Sequence, residues 1–379
     1  MDNSAPFMIL GVHLKSDGYP NVAYRIAALQ VASDGNVPEI NFPFRAAPGE
    51  HSRGRVVELL RFSYAHVDVL FRYLLRRDRR AAYLPYPAVP LLLLFSLCPV
   101  WLRPRLLIAD AFISLYDTVV NDRKLIGPTS LAARLLRCME DRAYGAADHV
   151  VVDTEMNAAY FRRTFLRARN VIALPLSIDE LYYRNLSPAR TSETCRVLFV
   201  GTFVPLQGIE VIAAAALLLQ DRGDIRFHLV GDGQTADAVR AVLSAGNGKN
   251  IDWTREWQSA EQVRAHIAGA DLCLGIFGEG DKTQRVWPFK NYHYMAAGRA
   301  LVTGDTECAR SLTAMAAGNR PFEMVPCGDA AALASVIGKL ASNPVSRSEL
   351  AKSARRYFDA HLSSAHSIPS LRRLLGDTT

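Results

Sequence analysis

Short β-rich apolar runs alternate with stretches of helix-type apolar spacing along the chain, and the rhythm stops once and then starts again. In the first half the runs fall at residues 7–14, 40–44, 82–84, 106–109, 149–153 and 171–174. Between them, residues 21–32, 56–77, 131–144 and 157–165 carry apolar side chains at helical spacing. The second half repeats the pattern with runs at 197–200, 227–230, 251–253, 272–276, 301–303 and 322–325, again separated by helical stretches. Strands joined through a helix lie parallel in one sheet, and a parallel sheet needs helices over both faces. Residues 179–194 are polar and irregular, with Ser187, Pro188, Thr191, Ser192 and Thr194, and read as a linker. The expected fold class is α/β, as two Rossmann-like, doubly wound parallel-sheet domains facing a cleft. They span residues 1–180 and 195–362, with 181–194 as the linker and 363–379 as a C-terminal helix packing back on the first domain. A chain of 379 residues has room for both, since a domain usually takes about 100–200.

Half the residues are apolar and 21% are charged, which excludes a disordered, collagenous or multi-span membrane protein. The net charge of +7 is too modest for a dedicated nucleic-acid binder, so no nucleic-acid partner is expected, although anionic partners are favoured. The excess is uneven: residues 1–185 hold 23 basic and 18 acidic side chains, and Arg72, Arg76, Arg77, Arg79 and Arg80 crowd one segment. Six cysteines, none in a C-x-x-C pair or at zinc spacing, indicate neither a disulfide framework nor a metal site and suit a reducing cytoplasm. The first residues lack the basic and apolar regions of a secretory signal, so the expected location is cytoplasmic. Residues 81–102 are uncharged for long enough to suggest a membrane span, but Pro85, Pro87, Pro90 and Pro99 break the hydrogen bonding a lipid-exposed helix needs. The segment reads as a buried strand, a turn and a short helix.

Several chemistries are dismissed by absence. There is no G-x-x-x-x-G-K-[ST] loop, no H-E-x-x-H helix, no G-x-S-x-G elbow and no D-x-D pair to hold a divalent cation against a diphosphate. Gly231-Asp-Gly233-Gln-Thr-Ala236 follows an apolar run and opens a helix, as the dinucleotide fingerprint does, and Asp252 lies 21 residues beyond Gly231. Two readings stand: glycines that allow a tight strand-to-helix turn, and close approach of a phosphate to a helix N-terminus. The richest segment runs from Gly278 to Lys290. Two of only seven lysines, Lys282 and Lys290, flank Arg285 there, where a strand end leads into a helix. Cations at such a place suit a diphosphate without metal.

These motifs carry a resemblance. Val197-Leu-Phe-Val-Gly201, Pro205-Leu-Gln-Gly208-Ile-Glu210, Leu229-Val-Gly-Asp-Gly233, Ala270 to Phe277 and Trp287-Pro-Phe-Lys-Asn-Tyr-His-Tyr-Met-Ala-Ala-Gly-Arg299 resemble, in order and spacing, the nucleotide-sugar half of family 4 (group 1) retaining glycosyltransferases. The first half is similar more weakly, through Lys15 to Asn21, Ser114-Leu-Tyr-Asp117 and Ala147 to Thr154. The resemblance implies the GT-B fold, with residues 1–180 as the acceptor side and residues 195–362 as the nucleotide-sugar-binding domain. It also implies transfer of a sugar from a nucleotide diphosphate sugar, UDP- or GDP-linked, to a hydroxyl acceptor with retention. No cofactor or metal is implied.

Gly18, Gln207, Gly208, Gly231, Gly233, Lys282, Arg285, Lys290 and His293 are then the candidate nucleotide and diphosphate contacts. Asp110 and Glu279 are the candidate catalytic residues, and Tyr19, Tyr116 and Asp117 the acceptor-side candidates. The sequence departs from the family in three places. Arg285 and His293 stand at the positions of the usual E-x7-E pair, leaving His293 to meet the ribose. Gln207 stands where a basic residue is common, and a single Gly18 replaces a glycine-rich first loop. Asp110 has a competing reading as a turn cap. The Arg-rich segment 56–80 beside the apolar residues 91–97 suggests a glycan or lipid-linked saccharide acceptor at an anionic membrane surface. Rival functions are an NAD-dependent oxidoreductase, resting on Gly231 to Ala236 and Asp252, a nucleotide-sugar epimerase and a non-catalytic nucleotide-binding protein.

Overall fold

The computed structural model describes residues 6–13, 20–33, 37–42, 55–186, 193–316 and 318–376. Gly18, Tyr19 and residues 187–192 of the linker lie outside these. The chain folds into two compact units, residues 1–178 with 364–379 and residues 179–363.

The first unit holds β1 (Phe7–Gly11), β2 (Glu39–Asn41), β3 (Ala81–Leu84), β4 (Leu107–Asp110), β5 (His149–Val152) and β6 (Asn170–Ala173). They form one sheet in the order β2-β1-β3-β4-β5-β6, every pair parallel. β1 and β3 are buried at every position, as apolar strands covered on both faces must be. One face packs under the helices Arg55–Arg76, Val89–Leu97 and Leu131–Tyr144, with Val69, Phe95 and Tyr144 in the core. The other face packs under Pro20–Ala32 and the C-terminal helix Ser364–Leu375, which meet through Leu29 and Leu371. Arg372 Nε donates to the Ala32 carbonyl at 3.0 Å.

The second unit holds β7 (Cys195–Val200), β8 (Ile225–Val230), β9 (Ile251–Thr254), β10 (Leu272–Leu274), β11 (Ala300–Gly304) and β12 (Glu323–Val325). Their order is β12-β11-β10-β7-β8-β9, again all parallel. The chain starts in the middle, winds outwards to β9, then returns past β7 to begin at β10. That reversal is the topological switch point of a doubly wound sheet, where neighbouring crossovers leave in opposite directions and a crevice opens beyond the strand ends.

The strand positions expected from periodicity agree with the structure to within three residues at each end. The largest differences are at β1, which ends at Gly11 and not at residue 14, and at β2, which ends at Asn41 and not at residue 44; residues 14, 43 and 44 lie outside the described residues. At β1, the His13 backbone N–H is taken by the Asn41 side chain, so the chain leaves the ladder. In residues 81–102 the structure has β3, a turn and the helix Val89–Leu97, as the prolines required. No helix among the described residues is long and apolar enough to cross a membrane.

Candidate active site

In the second unit the loop after β7 and the loop after β10 meet at the switch point. Phe277 N–H donates to the Gln207 carbonyl at 3.0 Å, and Gly328 N–H, beyond β12, donates to the Phe277 carbonyl at 2.9 Å. Gly208 makes the approach workable. It has φ +64° and begins the helix Ile209–Leu218, and a Cβ there would stand 2.5 Å from the Gly278 nitrogen, so no other residue fits. The positive end of that helix therefore opens at the crevice. Gly231, after β8, crosses the β7 loop so closely that a Cβ would lie 2.0 Å from the Gly201 carbonyl oxygen, and Gly233 packs likewise on Phe203. Of the two readings of this fingerprint, backbone packing accounts for both glycines. Asp232 between them is paired to Arg255 at 2.7 Å.

Lys290 sits at the centre of this arrangement. It belongs to the helix Phe289–Ala296, which is tied to the end of β7 where Tyr294 Oη accepts from Val200 N–H at 3.1 Å. Its ammonium donates to Gln207 Oε1 at 2.5 Å and lies 3.5 Å from the centroid of the Phe199 ring. No carboxylate pairs with it among the described residues, and burial holds its pKa well below the usual lysine value. A cation gathered in this way, with an amide and a ring face and no anion of its own, is poised for an anion from outside. Gln207, where the family usually has a base, positions the lysine.

The other candidates of this unit are distributed unevenly. Arg285 turns inwards, nearly buried, with Nε 3.4 Å from Asp281 Oδ2, an ion pair within the helix Asp281–Arg285. Lys282, on the same helix, is half-buried. Glu279 is exposed and its carboxyl lies over Gly328, where a Cβ would come within 2.7 Å. His293 is buried in an aromatic stack, 4.4 Å from the Tyr183 ring at 17° and edge-on to Phe289. Burial lowers its pKa to about 3, so the imidazole is neutral, and Nε2 has no hydrogen-bond partner. Asn291 escaped sequence reasoning altogether. It is fully buried beside Lys290, and neither its amide oxygen nor its nitrogen is hydrogen-bonded. Its only signal was a polar side chain among the apolar ones of that helix.

In the first unit Asp110 ends β4. Oδ2 accepts from Tyr83 Oη at 2.9 Å, Oδ1 from Phe112 N–H at 3.1 Å, and Arg25 Nε lies 3.8 Å away. Burial raises its pKa, with the arginine and the two hydrogen bonds opposing. The turn-capping bond to Phe112 is therefore present, alongside a charge partner. Arg25, on an otherwise apolar face of Pro20–Ala32, was not singled out by sequence, and it also donates to the Pro175 carbonyl at 2.9 Å. Tyr116 is held by its backbone: its N–H donates to Glu140 Oε2 at 2.9 Å, and Ser114 Oγ and Leu115 N–H also bond that carboxylate. Asp117 is buried and accepts from Asn121 Nδ2 at 2.9 Å. Glu140, fully buried with its pKa raised by burial, is thus the anchor of the segment that carries both acceptor-side candidates. Among the described residues no group of three or more His, Cys, Asp or Glu side chains is placed to hold a metal ion.

Residues 194–343 match the family model described as Glycosyl transferases group 1. No curated protein matches the sequence. Among solved structures, the chain is similar to sucrose-phosphate synthase from Thermosynechococcus elongatus, at 16% identity and TM-score 0.70 over 97% of this chain and 98% of that one. It is similar to Anabaena HepE in complex with UDP-glucose, at 13% identity and TM-score 0.67 over 97% and 98%. A third is the E. coli protein described as trehalose-6-phosphate bound with UDP-2-fluoro glucose, at 13% identity and TM-score 0.64 over 98% and 99%. At such identities the likeness speaks for the fold, and the family model speaks for the chemistry of the second unit. The chain therefore carries a group 1 glycosyltransferase domain over residues 194–343 and has the GT-B fold.

Proposed function

We propose that the protein moves a sugar, with retention, from a UDP- or GDP-sugar held by the second unit to a hydroxyl of a glycan or lipid-linked saccharide held by the first. The observation that carries this is Lys290: a desolvated ammonium without a carboxylate, at the switch point of the sheet and beside a helix N-terminus. Charge that builds on a departing diphosphate would be met there by fixed positive groups, with no metal required. UDP is favoured because the HepE and E. coli structures contain UDP-sugars. Lys282 is the second diphosphate cation of this reading, with His293 at the ribose and Glu279 at the sugar hydroxyls. Asp110 faces the acceptor, and Tyr116 and Asp117 shape its surroundings.

The acceptor lies at the inner face of the cytoplasmic membrane in this reading, and the protein attaches there peripherally. Six free cysteines are consistent with a reducing compartment. Leu97, Val100, Trp101 and Leu102 are exposed together beside Arg103, and the helix Arg55–Arg76 exposes Val57, Leu60, Tyr64, Val67, Phe71 and Leu75 along one stripe. A thermal-shift screen against UDP, GDP, ADP and dTDP sugars, followed by NMR of the product anomer, tests the assignment. An inverted anomer would overturn retention, and a shift produced by NAD alone would overturn the donor class.

A further inference from the structure

The first unit contains a cavity of about 720 Å³ beyond the carboxyl ends of β3 and β4. Its wall is built from the helices Arg55–Arg76, Val89–Leu97 and Leu131–Tyr144 and includes Phe62, Val67, Leu93, Leu94, Ile113 and Met139. The size is that of a ligand site, and the carboxyl end of the strands is where open α/β sheets bind ligands. Leu59, Val67, Leu115 and Met139 line it and are also exposed, so the apolar wall continues onto the surface.

The polar groups in that wall are already engaged, with the exception of His66 Nε2. Asp110 is bonded to Tyr83 and Phe112, Glu140 to the 114–116 segment, and Ser63 Oγ to the Leu59 carbonyl. His66 Nδ1 lies 2.7 Å from the Phe62 carbonyl, which requires Nδ1–H to donate and leaves Nε2 as an acceptor without a partner. A peptide or a sugar lying in this cavity would find too few groups to satisfy its N–H, C=O and hydroxyl atoms. A hydrocarbon chain needs none. Because Asp110 stands in the same wall, a chain seated here would place a head group next to that carboxylate.

We propose that this cavity holds the hydrocarbon chain of a lipid-type acceptor, entering between the exposed residues Leu59 and Met139. That the chain belongs to an acceptor rests on the function proposed above, whereas its binding in the cavity does not.

The test is fluorescence titration of the full chain with dansyl-labelled undecanoic acid, with UDP binding measured calorimetrically on the same samples. Saturable one-to-one binding is expected, displaced by monomeric dodecyl maltoside and not by phosphatidylglycerol vesicles. Leu94→Trp, which fills the cavity, and Val67→Asp, at its exposed rim, should each weaken it at least about tenfold while leaving UDP binding unchanged. No saturable binding, or equal binding by both variants, overturns the cavity's assignment. Displacement by vesicles and not by maltoside makes it a membrane-lipid site and overturns the acceptor. Alkyl binding without any UDP binding leaves the cavity's ligand standing and removes the transferase reading.

Discussion

Replacing Lys290 with methionine separates its function from its packing, because the stem keeps its place over Phe199 while the ammonium is lost. A charged hydrogen bond to a ligand contributes about 1.5–3 kcal/mol, so the Kd of UDP or GDP should rise by roughly one to two orders of magnitude in Lys290→Met. The free protein should respond in the opposite sense. The ammonium is desolvated with no carboxylate to offset it, and its hydrogen bond to Gln207 and its contact with the Phe199 ring are what is lost, so Tm should change little. The pH dependence follows from the same burial. A lysine held below its unfolded pKa carries fewer protons folded than unfolded between the two values, so stability increases as pH rises through that window. Bound diphosphate favours the charged form, so nucleotide binding in the alkaline range should take up a proton. Calorimetry in buffers of different ionisation enthalpy measures that uptake, and the methionine variant should lack it. An unchanged Kd would refute the reasoning, and so would a fall in affinity accompanied by an equal fall in Tm, since that would make Lys290 a structural residue only.

His293, with its pKa lowered to about 3 by burial, refuses a proton that the unfolded chain accepts below pH 6.5. Stability should therefore fall as pH drops from 6.5 towards 3, by about 1.4 kcal/mol per pH unit from this group. His293→Phe, which keeps the stack on Tyr183, should flatten the slope by that amount in urea titrations, and an identical slope would count against a neutral buried imidazole. Transfer activity is expected to survive EDTA; loss restored by Mg²⁺ or Mn²⁺ would mean that the lysines and the helix N-terminus do not meet the diphosphate charge without a metal. Arg76, Arg77 and Arg79 are exposed, whereas Arg72 and Arg80 are paired with Asp68 and Asp78 at 2.6 Å. Changing the exposed three to glutamate should abolish sedimentation with anionic vesicles at low salt and leave UDP binding intact. If the wild type does not sediment at low salt, the basic segment is a solvated helix face.

Strands β7 to β12 and most of the helices were legible because their signal is local. A strand buried on both faces must be apolar throughout, and a helix packed on a sheet must repeat its apolar residues every three or four positions, so the period is written into consecutive residues. The motif from Gly278 to Lys290 was legible for a similar reason, since a strand end, two glycines and a run of cations share thirteen residues. Charge counting could not distinguish Lys290 from Arg285. Asp281 stands four residues before Arg285, but only the fold buries Arg285 and sets Lys290 against Gln207, 83 residues away.

The sequence by itself determined the class of sheet, the number of strands and the stretch of chain that would carry the cations. The tertiary structure alone decided which of those cations was left without a counter-charge, and why Gly231 and Gly233 are glycines, which is contact with the β7 loop at Gly201 and Phe203. It alone brought Arg25 to Asp110, 85 positions away in the chain, and closed three helices around an apolar cavity. The difference is physical. Backbone hydrogen bonding and burial on a sheet impose a period on neighbouring residues, whereas desolvation and the pairing of charges depend on distances through space, which exist only once the chain has folded.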